Sequence, residues 1–215
     1  HDGPFAFVDL DALWSNAAQL LTLAGAKPIR VASKSLRCRP LQRAILDSAD
    51  RFDGLLTFTL AETLWLAGHG FTNLLLAYPT TDRAALAELG ELTAAAPDTA
   101  PIVMVDSVEH LELICRATAN PVRLCLDLDA GYRRAGLKIG PKRSPLCTPE
   151  QARALAEEIA RRPTLTLAAL MCYEGHIAGV GDDVAGQPLQ NLIVRRMQRA
   201  SFAELRERRA RAVAL

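Results

Sequence analysis

The chain has 215 residues and a formal net charge of +1; 50% of its residues are hydrophobic and 23% are charged. This length allows one domain with a substantial core, and the balanced charge gives no reason to expect nucleic acid or a membrane surface as a partner. The five cysteines contain no CxxC pair, no stretch reaches the roughly 18 apolar residues of a membrane span, and the N-terminus has no secretory pattern. We therefore expect a reduced, cytoplasmic protein without a disulfide framework or a zinc site.

Short apolar runs alternate with amphipathic stretches along almost the whole chain. The runs are rich in Val, Ile and Leu and nearly continuous, which is typical of strands that helices cover on both faces. In chain order we predict helix 12–23, strand 29–33, helix 40–47, strand 55–58, helix 61–67, strand 74–78, helix 83–94, strand 102–105, helix 108–117, strand 122–128, helix 149–161, strand 167–173 and helix 189–213.

The predicted helices begin and end at recognisable signals. Thr148 is followed by Pro149 and Glu150, which supplies an N-cap, a proline at the first helical position and an acid in the first turn. Ser107 offers a weaker start of the same kind. Gly68 and Gly70 follow the predicted helix 61–67, and glycine is typical of a helix C-terminus.

This alternation predicts a parallel α/β protein, for which two architectures compete. A doubly wound open sheet usually has a glycine-rich first turn, but the first predicted strand runs into Ala32-Ser33-Lys34 with no GxGxxG pattern. A (β/α)8 TIM barrel takes about 250 residues, and about six βα units in this length match that pace. We favour an incomplete barrel and expect residues 1–215 to form one barrel domain that lacks the last strands.

Lys34 is the first candidate for chemistry. It follows the first predicted strand directly, in the stretch VASKS at 31–35. Barrel enzymes place their catalytic groups at the carboxyl ends of the strands, and a lysine amine there can condense with an aldehyde. A solvated loop lysine is the alternative, and position alone does not separate the two.

The second candidate is the stretch DLDAGYRRAG at 127–136, at the end of the fifth predicted strand. Gly131 lets the backbone turn sharply next to a ligand, and Arg134 is then able to point into the barrel mouth and bind an oxyanion. Taken without its context, this stretch is more typical of a surface turn with solvated arginines, and its context reverses that preference.

The third candidate is the stretch MCYEGH at 171–176, where the sixth predicted strand ends. Tyr173 offers a flat ring at the strand tip, and His176 offers a group that titrates near neutral pH. Either is suited to a planar cofactor, although a loop histidine with a structural partner is an equal alternative. The histidines form no ligand cluster, so no metal site is predicted from them.

Taken together, these features resemble the fold-type III enzymes that depend on pyridoxal phosphate (PLP): alanine racemase, D-threonine aldolase and D-serine dehydratase. The resemblance rests on the lysine after strand one, the DxGxxRxG pattern, the aromatic residue at the tip of strand six and the opening FAFVDLDAL at 5–13. The stretch KSLRC at 34–38 is similar to a lysine-containing stretch of D-threonine aldolases. AYPT at 77–80 and YEGHIAGVGD at 173–182 resemble the bacterial amino acid deaminase/aldolase group.

The resemblance implies a fold and roles for particular residues. The fold is a TIM barrel of the alanine racemase N-terminal type, with the usual C-terminal β-domain absent from this sequence. Lys34 would hold PLP as a Schiff base and serve as acid and base at the substrate α-carbon. Arg134 would contact the phenolic oxygen of PLP, and Tyr173 takes the position of a ring that stacks on the pyridine. Arg37, Tyr78 and His176 are further candidates for binding the cofactor or the substrate carboxylate.

The resemblance implies a PLP-dependent lyase that cleaves a β-hydroxy-D-amino acid or eliminates its hydroxyl group. A racemase, a PLP carrier or homeostasis protein on the same barrel, and an inactive fragment remain alternatives. A divalent metal would enter only through the absent C-terminal region. The expected partner is a small amino acid, and a homodimer is compatible with the resemblance because fold-type III enzymes often complete their sites across one.

Overall fold

The computed structural model describes residues 2–134 and 136–214, with Arg134 and Leu137 described by their backbone alone. In chain order the elements are α1 (Leu10–Ala24), β1 (Ile29–Ala32), α2 (Arg39–Ser48), β2 (Phe52–Thr57), α3 (Leu60–Gly68), β3 (Leu74–Leu76), α4 (Arg83–Ala95), β4 (Ile102–Val105), α5 (Val108–Ala117), β5 (Val122–Leu128), β6 (Tyr132–Arg134), β7 (Leu137–Ile139), α6 (Pro149–Ala160), β8 (Leu165–Cys172), α7 (Gly175–Ala178) and α8 (Pro188–Ala214).

Six of these strands form one parallel sheet in the order β1-β2-β3-β4-β5-β8. Each strand pairs with the preceding long strand of the chain, and a helix connects each pair. A doubly wound sheet reverses its strand order at a switch point, whereas a barrel winds in one direction. The sequential order therefore decides between the two architectures, and the prediction of a partial TIM barrel is confirmed.

Side chains alternate between the two faces of this sheet, as the period of two residues in a strand requires. Val103 and Val105 of β4 pack with buried residues of the surrounding helices, such as Leu111 of α5. Ile102 and Met104 belong to a separate cluster on the opposite face, which is the barrel interior. Both faces are thus apolar, which explains the nearly continuous apolar runs of the sequence.

The helix starts follow the predicted signals. Thr148 forms a capping box with Gln151 at the start of α6, where Pro149 occupies the first turn. Ser107 accepts a hydrogen bond from the backbone N–H of His110 at the start of α5. Each predicted long helix is present with its boundaries within two residues at most. None of the described helices is long and apolar enough to cross a membrane.

Three short elements, two strands and a helix, were not predicted from the sequence. Strands β6 and β7 form an antiparallel hairpin, with Gly136 at its turn in the left-handed region (φ 79°). Strands of three residues are too short to show a hydrophobic period, so no sequence pattern predicts them. Helix α7 has only four residues. In addition, β3 ends at Leu76 and not at Tyr78, so Tyr78 lies in the loop beyond the strand.

Candidate functional site

Four polar or aromatic side chains lie at the carboxyl ends of the parallel strands. Lys34 and Tyr78 each follow a strand by two residues, Asp127 is the last residue but one of β5, and Tyr173 follows β8 directly. Because all the strands are parallel, these positions share one end of the barrel. This is the end at which barrel enzymes carry their active sites.

The amine of Lys34 is fixed by a neighbouring phenol. Lys34 Nζ donates a hydrogen bond of 2.9 Å to the hydroxyl oxygen of Tyr78. The Tyr78 ring is held in turn by the edge of Phe58, with ring centroids 5.5 Å apart and planes at 89°. The Lys34 side chain remains exposed, so its amine is accessible to a small molecule while its direction is set.

Arg143 also lies at this end of the barrel, although no sequence pattern predicts it as a site residue. Its guanidinium carbon is 4.7 Å from the Tyr78 ring centroid and 5.3 Å from the Tyr173 ring centroid. Nη2 donates a hydrogen bond of 2.6 Å to the carbonyl oxygen of Ala77. The loop after the β6–β7 hairpin carries Arg143 to this position, and no local pattern reveals where such a loop folds.

Asp127 is a buried carboxylate that faces Arg143. Its Oδ2 atom lies 3.7 Å from Arg143 Nη2 and has no hydrogen-bond partner among the described residues. Burial raises the pKa of Asp127 to about 6; Arg143 opposes this increase, and the neighbouring carboxylates of Asp106 and Asp129 add to it. The Oγ atom of Ser33 is likewise buried and without a partner in the described part of the chain.

The DxG stretch forms a tightly bonded loop. The Asp129 carboxylate accepts a bond of 2.7 Å from Lys138 Nζ and one of 2.8 Å from the backbone N–H of Gly131. Arg208 of α8 donates to the carbonyl oxygens of Asp129 and Gly131 at 2.7 and 3.1 Å. The Arg134 side chain lies outside the described residues, so its predicted contact with PLP stays a prediction.

His176 and Arg37 are two further residues that were predicted for the site. His176 is only 4% exposed, and its Nε2 atom is hydrogen-bonded to the hydroxyl of Ser201 in α8. Its ring packs against Gly140, where an added Cβ would lie 2.5 Å from His176 Nδ1. Arg37 is exposed and lines a cavity between α2 and α3. The described contacts of His176 are structural, and the described part of the chain gives Arg37 no contact with Tyr78. The predicted role of both residues in binding the cofactor or substrate stays a prediction.

The family follows from a comparison of the whole chain. Residues 8–213 match the model of the alanine racemase N-terminal domain. The chain belongs to this family. The match covers nearly all residues and confirms the resemblance to fold-type III PLP enzymes that the motifs indicated. A comparison with curated protein sequences finds no match.

Solved structures show that the fold of this alanine racemase N-terminal domain is shared. D-threonine aldolase from Filomicrobium marinum superposes with a TM-score of 0.71 at 20% identity, covering 99% of this chain and 52% of that one. D-threo-3-hydroxyaspartate dehydratase from Delftia sp. HT23 gives a TM-score of 0.66 at 19% identity, covering 95% and 52%. Alanine racemase from Oenococcus oeni gives 0.58 at 19% identity, covering 92% and 46%. The chain therefore spans about half the length of these proteins.

Members of this family depend on PLP, and the residues of this chain fit that cofactor. PLP is a planar aldehyde with polar substituents. Lys34 offers an accessible amine at the strand ends, and Tyr173, 48% exposed, offers a ring whose centroid is 5.3 Å from the Arg143 guanidinium carbon. The unpartnered oxygens of Asp127 and Ser33 are polar groups that a bound molecule could satisfy. In residues 2–134 and 136–214, no three His, Cys, Asp or Glu side chains come together as a metal site.

Proposed function

We propose that this protein is a PLP-dependent lyase for β-hydroxy-D-amino acids, which acts by aldol cleavage or by elimination of the hydroxyl group with loss of ammonia. The observation that carries the proposal is the hydrogen bond of 2.9 Å from Lys34 Nζ to the Tyr78 hydroxyl, at the catalytic end of a barrel of this family. The names of two structural relatives, a D-threonine aldolase and a D-threo-3-hydroxyaspartate dehydratase, support this substrate class.

Lys34 would hold PLP through its amine, with Tyr173 and Arg143 beside it. When bound, PLP supplies an electron sink that stabilises negative charge at the substrate α-carbon. Lys34 Nζ is the group positioned to accept a proton from the substrate and to return it, and the Tyr78 hydroxyl sets the direction of that nitrogen. The lone pair of the Lys34 nitrogen must be free if this nitrogen is to accept a proton from the substrate. The Tyr78 hydroxyl oxygen therefore accepts the hydrogen bond and does not donate one to the amine.

Arg143 and Asp127 adjust the charge next to this amine. The Arg143 guanidinium attracts an anionic group of a ligand. The carboxylate of Asp127 lies 3.7 Å from it and cancels only part of that attraction. The Arg143 guanidinium also lies over the aromatic rings of Tyr78 and Tyr173, which favour a cation at this position. These features favour a small, anionic amino acid as the substrate.

A homodimer remains a further proposal that rests on the family alone.

The test is spectroscopic and chemical. The purified protein is mixed with PLP, and the visible absorbance of the bound cofactor is recorded for the wild type, for Lys34→Ala and for Lys142→Ala, which changes an exposed lysine of the same kind. We expect the band in the wild type and in Lys142→Ala, and its loss in Lys34→Ala. A folded wild-type protein that shows no band would contradict the proposal.

The products then identify the reaction. Glycine and acetaldehyde from D-threonine indicate aldol cleavage, whereas pyruvate and ammonia from D-serine indicate elimination. If the loaded protein instead interconverts the alanine enantiomers and releases none of these products, the lyase proposal is wrong and a racemase is favoured. If it binds PLP and changes none of these amino acids, the carrier alternative is favoured.

A further inference from the structure

We propose that Arg143 is the receptor for the α-carboxylate of the amino-acid substrate. This inference rests on the proposed function and adds to it the residue that recognises the substrate. It is carried by the position of the guanidinium, whose carbon lies over both the Tyr78 and the Tyr173 ring, 4.7 and 5.3 Å from their centroids.

The surroundings of Arg143 fix its orientation without using up its hydrogen-bonding capacity. A guanidinium has five N–H donors in a planar fork. Among the described residues, Arg143 donates one hydrogen bond, from Nη2 to the Ala77 carbonyl at 2.6 Å. The remaining donors are available, and the side chain is 21% exposed, so an anion can reach them from the solvent.

The Asp127 carboxylate does not occupy these donors. Its Oδ2 atom lies 3.7 Å from Arg143 Nη2, which is longer than the roughly 2.7–2.9 Å of a charge-assisted hydrogen bond. Burial raises the pKa of Asp127 to about 6, so the folded protein disfavours its charged form. The pair is therefore a weak one, and an incoming carboxylate competes with it readily.

Two other cations near this end of the barrel, among the side chains that the structure describes, are already engaged. Lys138 is bonded to the Asp129 carboxylate at 2.7 Å. Arg208 is buried and donates to backbone carbonyls, including that of Cys147 at 2.9 Å. Arg143 combines a fixed plane, free donors and access from solvent, which are the requirements for binding a carboxylate in a defined orientation.

Tyr78 places Arg143 next to the amine that reacts. Its hydroxyl accepts the hydrogen bond from Lys34 Nζ, and its ring faces the Arg143 guanidinium. In an α-amino acid the amine and the carboxylate are attached to the same carbon. A substrate whose nitrogen approaches the Lys34 side of this phenol can therefore extend its carboxylate to the Arg143 side.

The test compares two ligands that differ only in the carboxylate. D-alanine and D-alaninol are titrated into the PLP-loaded protein, and their dissociation constants are obtained from the change in cofactor absorbance. We expect Arg143→Gln to weaken the binding of D-alanine by about 10- to 100-fold and to leave that of D-alaninol nearly unchanged. Arg143→Lys should recover part of the loss, because it keeps the charge without the planar fork. Arg196→Gln, on the exposed surface of α8, is the matched control.

The possible results separate this inference from the proposed function. If Arg143→Gln binds PLP normally but weakens both ligands equally or neither, Arg143 is not the carboxylate receptor, although the PLP-dependent activity stands. If the variant mainly loses affinity for PLP itself, the guanidinium serves the cofactor and the inference is wrong. If the wild type shows no cofactor band, the proposed function fails first, independently of Arg143.

Discussion

Tyr78 connects Lys34 and Arg143: its hydroxyl accepts a hydrogen bond of 2.9 Å from the lysine amine, and its ring lies 4.7 Å from the arginine guanidinium. The lysine comes from the loop after β1, the tyrosine from the loop after β3, and the arginine from the loop after the β6–β7 hairpin. Three loops that are distant in the sequence thus meet at one phenol. The polar hydroxyl and the aromatic face have separate partners, so their contributions can be measured separately.

Tyr78→Phe removes only the hydroxyl and keeps the ring that contacts Phe58 and Arg143. Because the Lys34 amine then loses the partner that directs it, we expect kcat/KM for the lyase reaction to fall by about 10- to 100-fold. The free energy of unfolding should change by less than about 1 kcal/mol, since the bond is exposed. Steady-state kinetics and urea denaturation check these two outcomes. An unchanged kcat/KM would show that the phenol does not direct the amine.

The barrel and the position of Lys34 at its strand ends could be predicted from the sequence because they depend on local patterns. The strands are apolar runs, the helices have capping residues, and Lys34 comes two residues after the end of the first strand. The position of Tyr78 was selected only from the family resemblance, because a loop beyond a strand has no period. Its contact with Lys34 depends on the parallel alignment of β1, β2 and β3.

Arg143 and His176 show where sequence patterns stop being informative. Arg143 reaches the site because a hairpin of two three-residue strands precedes its loop. His176 follows a strand end, as a site residue would, but α8 packs over it and Ser201 binds its ring. Both outcomes depend on contacts between residues far apart in the chain, and the amino-acid types alone are compatible with either placement.

Asp127 makes stability depend on pH. Its pKa is raised from 3.8 to about 6 by burial, so the folded protein binds more protons than the unfolded chain between these values. The stabilising effect of the protonated form is therefore lost as the pH rises through about 6, and the shift corresponds to about 3 kcal/mol. Asp127→Asn lacks this titration. We expect the difference in free energy of unfolding, wild type minus variant, to decrease by about 2 kcal/mol from pH 4 to pH 7, because part of the effect is already lost at pH 4.

Urea denaturation at a series of pH values measures this difference for Asp127. Asp98→Asn is the matched control because Asp98 is exposed. Its difference from the wild type should be much less dependent on pH. A difference between wild type and Asp127→Asn that stays constant with pH would mean that the buried carboxylate is not destabilised in its charged form.

His176 is expected to stabilise the packing of α7 on α8 without contacting PLP. His176→Ala leaves the Ser201 hydroxyl without its buried partner and opens a cavity beside Gly140. We expect a loss of about 2–3 kcal/mol in the free energy of unfolding, with an unchanged affinity for PLP. Burial lowers the pKa of His176, so this residue stabilises the fold at neutral pH and less as the pH falls below its ordinary value of 6.5. A marked loss of PLP affinity in a folded variant would instead support the cofactor contact that the sequence predicts for His176.

Arg208 is expected to hold the DxG loop in place from the outer helix. Its guanidinium donates to the carbonyl oxygens of Asp129, Gly131 and Cys147 at 2.7, 3.1 and 2.9 Å. Arg208→Met fills a similar volume but leaves these buried acceptors without donors. We expect the free energy of unfolding to fall by about 2–4 kcal/mol, whereas Arg206→Met, at an exposed position of α8, should change it by less than about 0.5 kcal/mol.

Hydrogen exchange distinguishes this local anchor from a general effect of Arg208 on the helix. If the arginine holds the loop, the amide of Gly131, which donates to Asp129 Oδ1 at 2.8 Å, should exchange faster in Arg208→Met under conditions in which the amides of β4 keep their protection. This follows because a loop whose carbonyl oxygens lose their hydrogen-bond donor opens locally before the core unfolds. Equal acceleration in the loop and in β4 would mean that Arg208 stabilises the domain as a whole and does not anchor the loop specifically.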